Sequence, residues 1–186
     1  MLKDLRAAGG RRIDFGLESG NEDLRRNILK RNMTNRQILE ATKMSKAVGF
    51  QVKTLNMVGL PEETYEKYLD TVNLNREIKP DVVSMFVFYP YPGTELYDYC
   101  IEKGYFFPNE PLPKGYISRR SSLLNLPDFS KKDIIICFQR FGFRVFMKFS
   151  IIKAIGYAVI YSKYGEFFIN ITTWIRKILA KILSGF

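Results

Sequence analysis

The sequence predicts an α/β fold built on parallel strands, and three observations carry that expectation. Apolar runs of strand character recur at residues 12–18, 50–58 and 81–89. Segments with helical spacing separate them, and the connections are short. Successive strands joined through helices must run parallel with right-handed crossovers, which fits an open α/β sheet or part of a β/α barrel. In either architecture ligands sit at the carboxyl ends of the strands.

The elements follow in order. Arg12-Ile13-Asp14-Phe15-Gly16-Leu17-Glu18 alternates at period two and stops at Ser19-Gly20-Asn21, as a strand entering a loop does. A short helical candidate covers Glu22–Leu29. Thr34-x-x-Gln37 is a capping box opening a helix with Ile38, Ala41 and Val48 on one side, closed by Gly49. Phe50–Val58 is the second strand. Gly59-Leu60-Pro61-Glu62-Glu63-Thr64 turns into a helix with Pro at its first position and Tyr65, Leu69 and Val72 as the expected buried stripe. Asp81–Tyr89 is nearly all apolar, the pattern of a parallel strand covered on both faces. Three bare parallel strands would also leave two exposed edges.

Polar residues gather at the carboxyl ends. Glu18 and Ser19 end the first strand, Thr54 and Asn56 come late in the second, and Tyr89-Pro90-Tyr91-Pro92-Gly93-Thr94-Glu95 leaves the third. Parity places Asp14, Gly16 and Glu18 on one face, and Thr54 with Asn56 on one face of their strand. A carboxylate, an amide and a hydroxyl are therefore expected to converge on one mouth. Composition narrows the chemistry: the 186 residues contain no His and two Cys, Cys100 and Cys137, far apart. That excludes imidazole acid-base catalysis, a Ser-His-Asp site and a His-ligated zinc centre, and it leaves no cysteine cluster motif. No catalytic residue and no metal ligand is assigned.

At these residues the chain resembles a known family. Gly16-Leu17-Glu18-Ser19-Gly20-Asn21 with Leu24 and Lys30-Arg31-Asn32-Met33-Thr34, then Gly59-Leu60-Pro61-Glu62-Glu63-Thr64, then Tyr89–Tyr97 resemble, in order and spacing, the second half of the radical S-adenosylmethionine barrel. The resemblance covers about residues 1–107 and is nearest the subgroup that carries a cobalamin-binding domain. It implies a partial β/α barrel, S-adenosylmethionine, a four-iron cluster on a CxxxCxxC loop, and cobalamin in the full-length relatives. The chemistry it implies is radical: methyl transfer, cyclisation or rearrangement. The cluster loop is expected upstream of Met1, so the chain alone is expected to be inactive unless an upstream half-barrel complements it.

Carried onto this sequence, the resemblance assigns Glu18, Ser19, Arg31, Asn56 and Gly59 to cofactor binding, and Tyr89 and Tyr91 to the pocket of a small-molecule or lipid-like substrate. A carboxylate accepts from a ribose diol or an ammonium group, and a guanidinium fork binds a carboxylate. Each has a structural alternative. Glu18 caps a turn, Arg31 pairs with Glu18, Asn56 satisfies neighbouring backbone, Gly59 serves turn geometry, and the tyrosines fill the barrel rim.

The remainder differs in charge. Residues 1–110 hold 16 Lys+Arg and 16 Asp+Glu, so residues 111–186 hold the other 13 and 3, the whole net charge of +10. The expected organisation is a partial barrel over 1–107, a Pro-rich connector over 108–129 and a basic amphipathic helical tail over 130–186. Ser130 is an N-cap candidate. Arg140, Arg144, Lys148, Lys163, Glu166, Arg176, Lys177 and Lys181 share one arc, an aromatic and aliphatic face opposes them, and Gly165 divides the segment. The uncharged stretches are too short to span a bilayer. Trp174 and the basic arc suit an anionic membrane surface reached through residues 138–186, so the expected location is cytoplasmic, peripheral to the membrane. The competing functional class is a non-catalytic membrane-surface or partner-binding module. Nucleic acid ranks last, because no base-reading module accompanies the basic residues.

Overall fold

The structure, a computed structural model, describes residues 1–108 and 121–161. Three parallel strands, β1 (Arg12–Glu18), β2 (Gln51–Val58) and β3 (Val82–Val87), form a sheet in the order β1-β2-β3. The helices are α1 (Leu2–Ala7), α2 (Asn35–Ala47), α3 (Tyr65–Ile78), α4 (Glu95–Glu102), α5 (Lys131–Phe146) and α6 (Ile151–Ile160). This is the α/β partial barrel with a helical C-terminal region that the sequence predicts.

Local chemistry sets the boundaries. Thr34 accepts from the Gln37 amide at 3.2 Å while Gln37 accepts from the Thr34 amide at 2.9 Å, a complete capping box at the start of α2. Thr64, Thr94 and Ser130 cap α3, α4 and α5 through their side chains. Pro61 therefore lies in the turn before α3 and not at its first position. The buried stripe of α3 is Tyr68, Thr71, Val72, Leu74, Asn75 and Ile78, whereas Tyr65 is exposed and Leu69 half-buried. Val72 keeps its expected place, and Tyr68 replaces Tyr65 because that face packs against α5 and β2. The expected helix over Glu22–Leu29 is a single π-helical turn, Leu24–Ile28.

Burial is one-sided. Val52, Thr54, Asn56 and Val58 of β2 and Val83, Met85 and Val87 of β3 are buried under the helices. On the other face Lys53, Leu55, Met57, Val82 and Ser84 are half-buried and Phe86 is 44% exposed. β3 is thus covered on one face and not on both: its apolar run serves a second face that no described element covers.

The C-terminal helices belong to this core. Ile134, Cys137, Phe138, Phe141, Val145 and Phe146 of α5 are buried against α3 and β3, and the Tyr68 hydroxyl donates to the Cys137 carbonyl at 3.1 Å. Residues 140–161 do not continue as one helix, since α5 ends at Phe146 and α6 starts at Ile151. Gly142 permits the return: Tyr157 of α6 packs directly over its Cα. The Tyr157 hydroxyl accepts from the Val83 amide at 3.0 Å and donates to the Val83 carbonyl at 2.9 Å. The outer edge of β3 is therefore not bare, because α6 satisfies groups that a neighbouring strand would otherwise pair. Gly165, Trp174 and the basic positions Lys163, Arg176, Lys177 and Lys181, with Glu166, lie outside the described residues, as does the connector over 109–120.

Candidate functional site

The carboxyl end of β1 breaks regularity at one residue. Pairing with β2 shifts between Gly16 and Glu18, Glu18 adopts a left-handed φ of 62°, and the Ser19 amide returns to the Leu17 carbonyl at 2.8 Å. A bulge at a strand end re-aims side chains, and a non-glycine residue in this region costs about 1 kcal/mol or more. Here Glu18 lies on the open face with Asp14 and Gly16, and Ser19 is buried on the other. Arg31 Nη1 donates to Glu18 Oε1 at 3.0 Å, with 37% and 22% of the two side chains exposed.

Gly16 makes room for this pair. A Cβ there would lie 2.9 Å from Glu18 Oε1 and 3.4 Å from Arg31 Nη1. Glu18 and Arg31 thus lie over a bare stretch of β1, where a side chain at Gly16 would stand in the way. Along the same face towards the amino ends, Asp14 takes Arg12 Nε at 2.7 Å and Lys53 Nζ at 3.7 Å. Leu55, Met57 and Phe86 give the face an apolar middle. At the carboxyl end of β3, Tyr89 and Tyr91 pack with ring centroids 4.8 Å apart, the first half-buried and the second exposed.

The expected convergence on one mouth is only partly met. Glu18 joins Arg31, and Tyr89 joins Tyr91, at the carboxyl ends of β1 and β3. Asn56 is fully buried on the opposite face. Its carboxamide donates to the Ser84 carbonyl at 3.0 Å and to Thr54 Oγ1 at 3.2 Å, and accepts from Asn75 of α3 at 2.8 Å. Thr54 donates to Asn75 Oδ1 at 2.6 Å, completing a network between β2 and α3. Thr54 and Asn56 share a face as alternation predicts, but it is the face under the helices and not the one that carries Glu18. Ser19 is also fully buried: its hydroxyl accepts from the Asn21 amide at 3.2 Å, beside Thr71. Gly59, at φ 79°, is covered by Ile134 of α5, and its amide donates to Glu63 Oε2. Both Ser19 and Gly59 shape the turns that follow the strands.

Two residues escaped the sequence reading. Arg25 is fully buried, and its guanidinium donates to the Ser19 carbonyl, twice to the Met33 carbonyl at 3.0 and 3.2 Å, and to Asn35 Oδ1 at 2.6 Å. It ties the loop after β1 to the start of α2 and so fixes the segment carrying Arg31. Burial lowers its pKa, countered in part by Glu22. In sequence, Arg25-Arg26 looks like any solvated basic pair. Gly20 seats this loop on α3, where a Cβ would collide with the Asp70 backbone.

Glu63 is the second. Its Oε2 accepts from the amides of Gly59 and Leu60, the latter at 3.2 Å, while Oε1 is buried without a hydrogen bond. Burial pushes its pKa up to about 8, against the two amides and Lys67, which lower it. The folded state therefore holds a proton that the unfolded state releases near the ordinary carboxylate range. Stability should fall as pH rises from about 4.5 to about 8, by up to about 1.4 kcal/mol per pH unit from this group, and level off above. Urea melts across that range should show the slope in the wild type and lose most of it in Glu63→Gln.

The family model described as the radical SAM superfamily matches residues 1–74. An uncharacterized methyltransferase of Pyrococcus horikoshii is 29% identical over 101 residues, 54% of this chain and 22% of that protein. A tRNA-2-methylthio-N(6)-dimethylallyladenosine synthase of Sulfurihydrogenibium is 32% identical over 108 residues, 57% of this chain and 22% of that protein. Among solved structures, the radical SAM enzyme coproporphyrinogen III oxidase of Escherichia coli is similar at 27% identity and a TM-score of 0.46, covering 49% of this chain and 21% of that one. The chain spans less than a quarter of the length of each.

Proposed function

Residues 1–74 belong to the radical SAM superfamily, and on that premise we propose that the chain forms the part of an S-adenosylmethionine-binding barrel in which Glu18 and Arg31 meet the cofactor's polar groups. The observation that supports this most is the Glu18–Arg31 pair held over Gly16 at the carboxyl end of β1. Glu18 Oε2 accepts no hydrogen bond among the described residues, so it is available to a ribose diol or an ammonium group. Arg31 keeps further N–H groups for a carboxylate. The donor and acceptor set fits S-adenosylmethionine, whose sulfonium activates the carbon attached to it. Tyr89 and Tyr91 are the substrate-side wall in this reading, and the names of the two sequence relatives, a methyltransferase and a methylthio synthase, support methyl or methylthio transfer as the reaction class.

Family membership also implies a four-iron cluster, and the residues present do not fit it. Cys100 and Cys137 are buried, and burial pushes both thiols up to about 11. Among the described residues no three His, Cys, Asp or Glu side chains gather to hold a metal. The cluster, and a cobalamin where one accompanies it, would be held by a complementing half-barrel segment.

Titrating S-adenosylmethionine into the full chain tests the proposal. Saturable binding is expected, weakened about tenfold or more in Glu18→Ala, the effect of losing one charge-assisted hydrogen bond. Equal affinity in the variant would remove Glu18 from the cofactor. Reconstitution with iron and sulfide should yield no stoichiometric cluster on this chain.

A further inference from the structure

We propose that the isoleucine face of α6, with the α5–α6 turn beside it, is a contact surface for anionic lipid. α6 buries Ala154 and directs Tyr157 at β3, while Ile151, Ile152 and Ile155 stand 56%, 82% and 55% exposed on its other side. At 100° per residue these three span about 100° of arc, a continuous apolar stripe. Met147, 51% exposed, extends the patch into the turn. Large apolar side chains clustered this way on a folded surface mark a contact. The apolar face that the sequence predicts is used elsewhere: Phe146 of α5 is core and Tyr157 of α6 packs on it.

Charge selects the occupant. Over residues 129–161 the chain carries Lys131, Lys132, Arg140, Arg144, Lys148 and Lys153 against the single acid Asp133. Lys148 is exposed in the turn next to the isoleucines, whereas Arg144 is engaged by Tyr65 and Lys153 by the Asp81 carbonyl. Beyond α6 the sequence adds Lys163, Arg176, Lys177 and Lys181 against Glu166, with Trp174 among isoleucines. An apolar stripe with the exposed Lys148 at its end, on a segment with six cations and one acid, matches a surface that is apolar within and negative at its boundary, which an anionic bilayer provides. A helix of 10 residues is about 15 Å long, half the hydrocarbon thickness, so α6 would lie in the interface. Among the described residues no helix is long and apolar enough to cross a membrane.

The test is co-sedimentation of the full chain with phosphatidylcholine vesicles containing about one-third phosphatidylglycerol, against pure phosphatidylcholine. Binding to the anionic vesicles is expected at low salt, weakened by high salt and reduced about tenfold or more in the double variant Ile152→Ser/Ile155→Ser. Both side chains face solvent, so an unchanged urea midpoint certifies the variant's fold. Absence of binding at low salt, or equal binding by the variant, overturns the proposal. So does a wild-type dimer that the variant converts to monomer, which assigns the face to a second copy. Binding that rises when residues 162–186 are deleted also overturns it, by assigning the face to that segment.

Discussion

Arg25→Met should lower the stability of the chain by about 2–4 kcal/mol and release the loop between β1 and α2. The guanidinium is the donor for the carbonyls of Ser19 and Met33 and for Asn35 Oδ1, and it is fully buried. Methionine fills much of the volume and donates nothing, so these acceptors lose a donor that no neighbouring group replaces. The loss is partly offset because a charge no longer needs burial. Urea unfolding gives the stability change, and limited proteolysis between residues 20 and 35 reports the loop. Affinity for S-adenosylmethionine should fall as well, since Arg31 is held through this loop: its amide donates to the Arg25 carbonyl at 2.8 Å. Arg25→Lys keeps the charge without the planar fork and should recover only part of the loss. A stability change below about 0.5 kcal/mol would show that the loop is held by Asn21, Asn35 and Gly20 without it.

Gly142→Ala should separate α6 from α5. The added Cβ would lie well inside contact distance of the Tyr157 ring and 2.9 Å from its Cβ, so the ring cannot stay. Alanine gains about 1 kcal/mol of helix propensity, but overpacking at a fixed helix contact costs about 1–3 kcal/mol or more. Displacing Tyr157 also strips both hydrogen bonds from Val83, leaving a strand amide and carbonyl without partners. A net loss of about 2–3 kcal/mol is expected, with faster amide exchange at Val83. Tyr157→Phe isolates the hydroxyl. It should expose the same amide to exchange while costing less, because the ring still packs on Phe146 at a centroid distance of 5.0 Å.

How much of this was legible depended on whether a residue's role is local. The Thr34–Gln37 capping box, the Ser130 cap and the three strands follow from neighbours in sequence, and the structure places them as expected. Asn56 shows the limit of periodicity. Alternation groups Thr54 with Asn56 correctly, yet it cannot say which face looks at helices. That is decided by Asn75, nineteen residues away, supplying the amide that makes burial affordable. Arg25 is hidden for a related reason: apart from Asn35 Oδ1, its partners are backbone carbonyls, which every residue has. Tyr157 read as one more aromatic on an amphipathic face, because the group it serves is a strand edge 74 residues earlier.

That edge contact also gives the sheet a direction of growth. With the Tyr157 hydroxyl on both polar groups of Val83 and Lys153 on the Asp81 carbonyl, a strand arriving alongside the amino end of β3 finds its hydrogen-bonding partners taken. β1 has no strand on its outer side among the described residues. Any further strand, whether from a complementing segment or from an aggregating neighbour, is therefore steered to one side. The two edges of the sheet are therefore unequal as templates: the one at β1 is open along its length among the described residues, and the one at β3 is obstructed where α6 crosses it.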